Sequence, residues 1–325
     1  MEKADGRNQT PITEFILLGF GDVSELQPLL SLLFLVIFFV TMVGNILIIV
    51  LVVTDRHLHN PMYFFLGNLS GLDICYSITI LHRVLASLLT GDRSVSVKCC
   101  LVQTYFFAII ATTENLLLAA MSYDRYLAIC HPLRYAALMN TRVCFELVAG
   151  SWLYSFLVNG TLNSFLFRLT FCHSKEIDHY FCDFTPTIKL VCGDTRSLEL
   201  ATFAVSTVGT VVPLLFTLVS YICIITTILK IPSTTGRQKA FSTCSAHLMV
   251  VTILYATVIT IYVFPTSNTS KVQHKIFSLL YTVVIPMINP VIYSLRNKDV
   301  NESLKKALPK MIAVRNKQRN IKEKF

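Results

Sequence analysis

Two carboxylates, Asp73 and Glu114, and two carboxamides, Asn45 and Asn289, lie inside long apolar runs of this chain. An acid at that depth is expensive and usually functional, because hydrocarbon offers its charge no water. If the two acids face one another they repel when both are ionised, so either one holds a proton or a cation sits between them. A third acid, Asp124, stands beside Arg125 at the end of another apolar run. Such a pair can be an interfacial anchor, or it can be a latch, since a guanidinium keeps its charge while exchanging one set of acceptors for another. Pro286 and Pro290 each remove a backbone hydrogen bond and bend a helix, and Asn289 offers its amide to the freed groups. This is the chemistry of ion or proton binding and of switching. Catalysis has no support, because the chain has no Gly-rich phosphate loop, metal-spaced His and Cys cluster, or nucleophile elbow.

Elements that could hold these groups are legible in the composition. Of 325 residues, 54% are hydrophobic and 14% charged, and the mean hydropathy is +0.61. Soluble domains carry roughly 25% charged residues. Runs of roughly 20 apolar residues cross a bilayer as helices, since every backbone group must be satisfied within the segment. Seven are expected: Leu29 to Val53, Pro61 to Leu89, Val97 to Met121, Val143 to Phe167, Leu198 to Leu229, Ala246 to Phe264 and Ile276 to Leu295. The fold class is an all-α membrane protein, a seven-helix transmembrane bundle without the inverted repeats or broken helices of a transporter.

Arg56, Arg134, Arg142, Lys230, Arg237 and Lys239 share one side with the basic C-terminal tail, which makes that side cytosolic. The net charge of +9 thus meets anionic lipid headgroups rather than nucleic acid. An extracellular tail over 1–28, a transmembrane domain over 29–295 and a cytosolic amphipathic helix with basic tail over 296–325 follow, with the first span as the uncleaved signal. Asn8, in Asn8-Gln9-Thr10, is the sequon expected to carry sugar. From Cys100 to Arg125 the rise is roughly 37 Å, so these residues lie on opposite faces. Cys172, Cys182 and Cys192 occupy the long outer loop after span four, and with Cys100 they permit three pairings. Cys75, Cys130, Cys144, Cys223 and Cys244 suit buried thiols, and Cys99 competes with Cys100.

Four segments carry a family resemblance: Met121-Ser122-Tyr123-Asp124-Arg125-Tyr126, Pro61-Met62-Tyr63-Phe64-Phe65, Lys239-Ala240-Phe241-Ser242-Thr243-Cys244 and Pro286-Met287-Ile288-Asn289-Pro290-Val291-Ile292-Tyr293. Together they resemble the signatures of odorant receptors of the tetrapod type, within the rhodopsin-like receptors. The resemblance implies pairing of Cys100 with Cys182, where Gln103 sets the register, and of Cys172 with Cys192. It implies that Arg125 is held by Asp124 at rest and released to a G protein as the sixth helix swings outward. Tyr126, Tyr221, Lys239, Ser242, Thr243, Cys244, His247, Asn289, Pro290 and Tyr293 are its coupling and switch residues, with Tyr221 able to approach Tyr293 when the helices rearrange. Asp73 takes the rhodopsin-like sodium position, with Glu114, Asn45 and Asn289 around it; no other metal and no cofactor is expected. His82-Arg83 replaces the family's Pro-Lys, which leaves the shape of span two open.

The resemblance also places a ligand among Phe107, Ala108, Ala111 and Thr112 on span three, Val205 and Gly209 on span five, Tyr255 and Ile259 on span six, and Tyr281 and Thr282 on span seven. That set is apolar with a few hydroxyls. Phe107 stands where amine receptors carry Asp, and Thr266 replaces an Arg used for carboxylates, so the expected ligand is a small neutral volatile. At roughly 25 cal/mol per Å² of apolar burial, affinity is micromolar. The implied activity is odorant-driven activation of a stimulatory olfactory G protein and a rise in cyclic AMP, at the plasma membrane. A rhodopsin-like receptor for a non-odorant small molecule, expressed elsewhere, is the alternative.

Overall fold

The computed structural model describes residues 12–21, 24–172, 174–260, 271–296 and 299–306. Its long helices are α1 (Gln27–Thr54), α2 (Pro61–Thr90), α3 (Val97–Cys130), α4 (Thr141–Leu166), α5 (Arg196–Leu229), α6 (Thr234–Val258) and α7 (residues 271–296). Six contain a segment long and apolar enough to cross a membrane, and in α6 the apolar segment is Cys244–Val258. The expected sixth span, Ala246 to Phe264, leaves the described residues after 260, and Asn8 lies outside them.

Local chemistry sets the starts of several helices. Asn60, Ser96, Asn140 and Ser233 accept hydrogen bonds from backbone N–H groups of the first turns of α2, α3, α4 and α6, satisfying donors that a helix leaves orphaned. Pro61, fixed at a helical φ, opens α2. With no proline at 82, α2 is instead re-aimed by a wide π-helical turn over Ser77–Leu81, and α7 carries another over Leu280–Val284.

The apolar span from Val97 to Met121 lies within α3, the helix continues unbroken to Cys130, and Asp124 and Arg125 near its end are buried. α3 packs along α4 and α5 and is the central rod of the bundle. The core around it is continuous, from Phe34 and Leu51 of α1 through Leu69 and Leu117 to Val250 and Tyr293. At one point α1 and α7 approach tightly: a Cβ on Gly44 would lie 3.1 Å from Pro290 Cβ, so a side chain there makes its neighbour shift.

A small sheet covers the end of the bundle assigned to the outside. β1 (Glu14–Leu17) lies between antiparallel β2 (Ser94–Ser96) and parallel β3 (Glu176–Ile177), with Ile16 opposite both Ser94 and Glu176. Phe15 and Leu17 point inward and Glu14 and Ile16 outward, the period of two that a half-buried strand requires. The apolar alternation of the tail thus pairs it with the loops it meets.

Candidate functional site

Beneath this sheet a cavity of about 760 Å³ opens between α3, α4, α5 and the outer ends of α6 and α7. The long loop that roofs it is stapled twice, by Cys100–Cys182 to the top of α3 and by Cys172–Cys192 within the loop. Gln103 Oε1 accepts from the Cys182 N–H at 2.9 Å, and Thr104 donates to the carbonyls of Cys100 and Cys182. Cys99 is exposed and unbonded.

Phe107, Ala108, Ala111, Thr112, Val205, Gly209 and Tyr281 line the cavity. Three other expected residues do not. Thr282 is buried with its hydroxyl on Tyr180, 2.9 Å away, Tyr255 is buried, and Ile259 packs against the core. The rotational phase of α6 and the wide turn in α7 turn these side chains away from the opening. The lining is also more polar than expected. Asn159 and Asn163 of α4 and Asn115 of α3 form one wall, and Glu176, Asp178, His179, Lys189 and Glu199 surround the mouth. A line of small polar residues at helical spacing, Ser151, Ser155, Asn159 and Asn163, is the sequence signal for that wall.

Across the mouth Lys275 donates to Asp178 at 2.5 Å. His179 is 2% exposed, tilted against Tyr180 and edge-on to Phe181 and His274. Burial pushes its pKa down to about 3, helped by the charges of His274 and Lys275 and opposed by Asp178. The ring is neutral at physiological pH.

Midway down the bundle, the Asp73 carboxylate accepts from Asn289 Nδ2 at 3.0 and 3.3 Å. Asp73 and Glu114 are both buried and close enough to interact electrostatically. The Asn45 amide N–H groups donate to Pro286 O at 3.1 Å and Thr41 O at 3.0 Å, filling the gap opened by a proline-interrupted helix, and its Oδ1 is buried without a donor. Asn289 Oδ1 has no donor, so two neighbouring buried acids and a carboxamide oxygen make an oxygen-rich group. These hard oxygens fit a sodium ion, and they fit a shared proton equally well.

At the opposite end, Arg125 is gripped by its neighbour: Nε donates to Asp124 Oδ2 at 2.9 Å and Nη2 donates to the same oxygen. The other carboxylate oxygen accepts from Tyr135 OH at 2.7 Å, on the short helix Pro132–Leu138. Asp124 is fully buried and Arg125 nearly so. Tyr126 bonds His131 at 3.0 Å. In this arrangement Tyr221 is hydrogen-bonded to His247 Nδ1 at 2.6 Å, joining α5 to α6, and the Tyr293 hydroxyl has no partner among the described residues. Cys244 is buried near Arg125. The side chains of Lys239, Ser242 and Thr243 lie outside the description. Tyr63, from the Pro-Met-Tyr segment, donates to Asp299 at 2.8 Å and ties the start of α2 to the helical residues beyond α7.

A family model described as "Olfactory receptor" matches residues 34–311. The chain belongs to the olfactory receptor family. Olfactory receptor 5AP2 of Mus musculus is 47% identical over 302 residues, 93% of this chain and 95% of that one. Olfactory receptor 1M1 of Homo sapiens is 44% identical over 306 residues, 94% and 98% of the two chains. Squid rhodopsin shares the fold, with a TM-score of 0.68 at 16% identity over 87% of this chain and 80% of its own. This olfactory receptor is therefore a multi-pass plasma-membrane protein of rhodopsin-like fold, a signalling receptor and not an enzyme, whose partner classes are a small ligand and a G protein.

Proposed function

We propose that this olfactory receptor binds a small neutral volatile in the outer cavity and answers by activating a stimulatory olfactory-type G protein, raising cyclic AMP. The observation that carries the reading is the roofed cavity of about 760 Å³, of a size to bury a volatile, on the same helix as the distant Asp124–Arg125 pair. α3 passes through both, so a guest that favours one arrangement of α3 against α5 and α6 biases the other end. The ligand acts by binding the arrangement with Arg125 released more tightly than the latched one, because equal affinity for both shifts nothing.

In this reading Asp124 and Tyr135 hold the guanidinium at rest, and Tyr126, Tyr221, Cys244 and His247 form the surface that opens as α6 moves. Lys239, Ser242 and Thr243 join that surface at the start of α6, and Asn289, Pro290 and Tyr293 supply the flexible section of α7. Asp73, Glu114 and Asn289 hold a sodium ion or a proton that stabilises the resting bundle. Cyclic AMP accumulation in cells displaying Arg125→Ala tests the proposal: agonist response is lost while surface staining stays near wild type. Undiminished signalling by that variant would reject it.

A further inference from the structure

The outer third of α5 stands away from the bundle. Thr210, Pro213 and Thr217 form its inward stripe at helical spacing, and all three are buried. Continued outward, the same stripe passes through Ser206 and Phe203, and both are exposed. None of residues 196–209 is buried. α3 packs along both α4 and α5, whereas α4 and α5 meet only lightly. A Cβ on Gly209 would find no atom within 4 Å.

The cavity reaches this gap from inside. Its α5 lining passes from Val205 through Ser206 and Phe203 to Thr207, roughly 200° around the helix, so it wraps beyond the inward face onto a flank. On α4 it turns from Asn159, bonded to Thr112 of α3, round to Tyr154. Lining residues on the enclosed walls are almost inaccessible, with Phe107 at 5% and Tyr281 at 4%, but Tyr154 is 39% exposed and Phe203 53%. These two side chains therefore border the cavity on one side and the outside of the bundle on the other. That outside is lipid, since residues 200–229 carry no charge and Tyr154 lies midway along the fourth span. Toward water, by contrast, the cavity is roofed by the stapled loop, and Glu176, Lys189 and Glu199 ring its mouth with charge. A neutral volatile concentrates in lipid in proportion to its apolar surface.

We propose that the gap between the outer halves of α4 and α5 is a lateral portal, through which a small apolar guest enters the cavity from the outer leaflet without crossing the charged mouth. Tyr154, Phe203 and Ser206 form its rim. The portal rests on the cavity being the odorant site for its use, but the path itself is tested without an odorant.

Full-length receptor carrying Ala111→Cys, on the α3 wall of the cavity, is placed in lipid nanodiscs and exposed to three thiosulfonates bearing a hexyl, a trimethylammonioethyl or a sulfonatoethyl group. Modification at position 111 is followed by peptide mass spectrometry, and each rate is divided by that on free cysteine. The hexyl reagent, which lipid concentrates, is expected to react at least about tenfold faster than either charged one. Added Ser206→Trp slows the hexyl reagent several-fold and leaves the charged ones unchanged, because these use the mouth; Glu199→Trp does the reverse. Should Ser206→Trp fail to fold, Phe203→Ala serves, widening the rim and speeding the hexyl reagent alone. Equal rates for all three reagents, a hexyl rate cut by Glu199→Trp and not by Ser206→Trp, a Ser206 variant that slows every reagent alike, or a Phe203 variant without effect would each overturn the portal. Cyclic AMP responses of Ala111→Trp, which fills the cavity, test the foundation separately: if odorant responses persist there, the odorant site falls while the labelling result stands.

Discussion

Tyr135→Phe is the sharpest probe of the latch, because it deletes one oxygen and almost nothing else. That oxygen donates to Asp124 Oδ1 at 2.7 Å, while Asp124 Oδ2 takes the guanidinium, so the carboxylate uses both faces at rest. Asp124 is fully buried, and the phenylalanine ring leaves Oδ1 without that donor. A hydrogen bond to a charged group is worth about 1.5–3 kcal/mol, and the half-buried position of Tyr135 favours the lower end. Since about 1.4 kcal/mol is tenfold in an equilibrium, the resting state loses roughly that factor against the open one. A receptor that is about 1% open at rest would become about 10% open. The assay is agonist-free cyclic AMP, normalised to surface receptor, for wild type and Tyr135→Phe. Basal signal is expected to rise several-fold with the agonist maximum preserved. Unchanged or lower basal signal at normal display would refute the argument that Tyr135 helps hold the resting state.

Acid should loosen the outer cap. With the His179 pKa at about 3 when folded and about 6.5 when unfolded, the unfolded chain binds the extra proton between those values, so this stability is complete above the higher pKa and is lost as pH falls. At pH 5.5 the loss is about 1.4 kcal/mol. Thermal unfolding of purified receptor at pH 7.5 and 5.5 should show an acid loss smaller by about that amount in His179→Phe than in wild type, and an equal acid shift in both would remove His179 as the cause. Gly44→Leu should lower the melting temperature by overpacking α1 against Pro290, at about 1–3 kcal/mol, while Gly67→Ala, whose Cβ would sit 3.6 Å from Val52, should be tolerated; equal behaviour of the two would contradict the close approach. Cys182→Ser should lose about 2–5 kcal/mol and with it surface delivery, whereas Cys99→Ser should traffic normally, as flow cytometry of unpermeabilised cells can check.

By itself the sequence determined the spanning helices and their orientation, because both follow from local physics. A bilayer forces each backbone to satisfy itself within about 20 residues, and lysine and arginine sort by side whatever the helices pack against. It also placed Asp124 beside Arg125, since adjacency in a helix needs no partner. Non-local contact decided the rest. That Tyr135 folds back onto Asp124, that Tyr221 meets His247, and that Asn45 reaches Pro286 depend on the rotational phase of each helix. The polar wall of Asn159 and Asn163 turns inward because α4 presents that stripe to α3, while Tyr255 and Thr282 turn away. Hydropathy is nearly uniform around α1, α3, α4, α5 and α6, so it cannot distinguish a face that meets lipid from one that meets a guest, and only the packed bundle makes that choice.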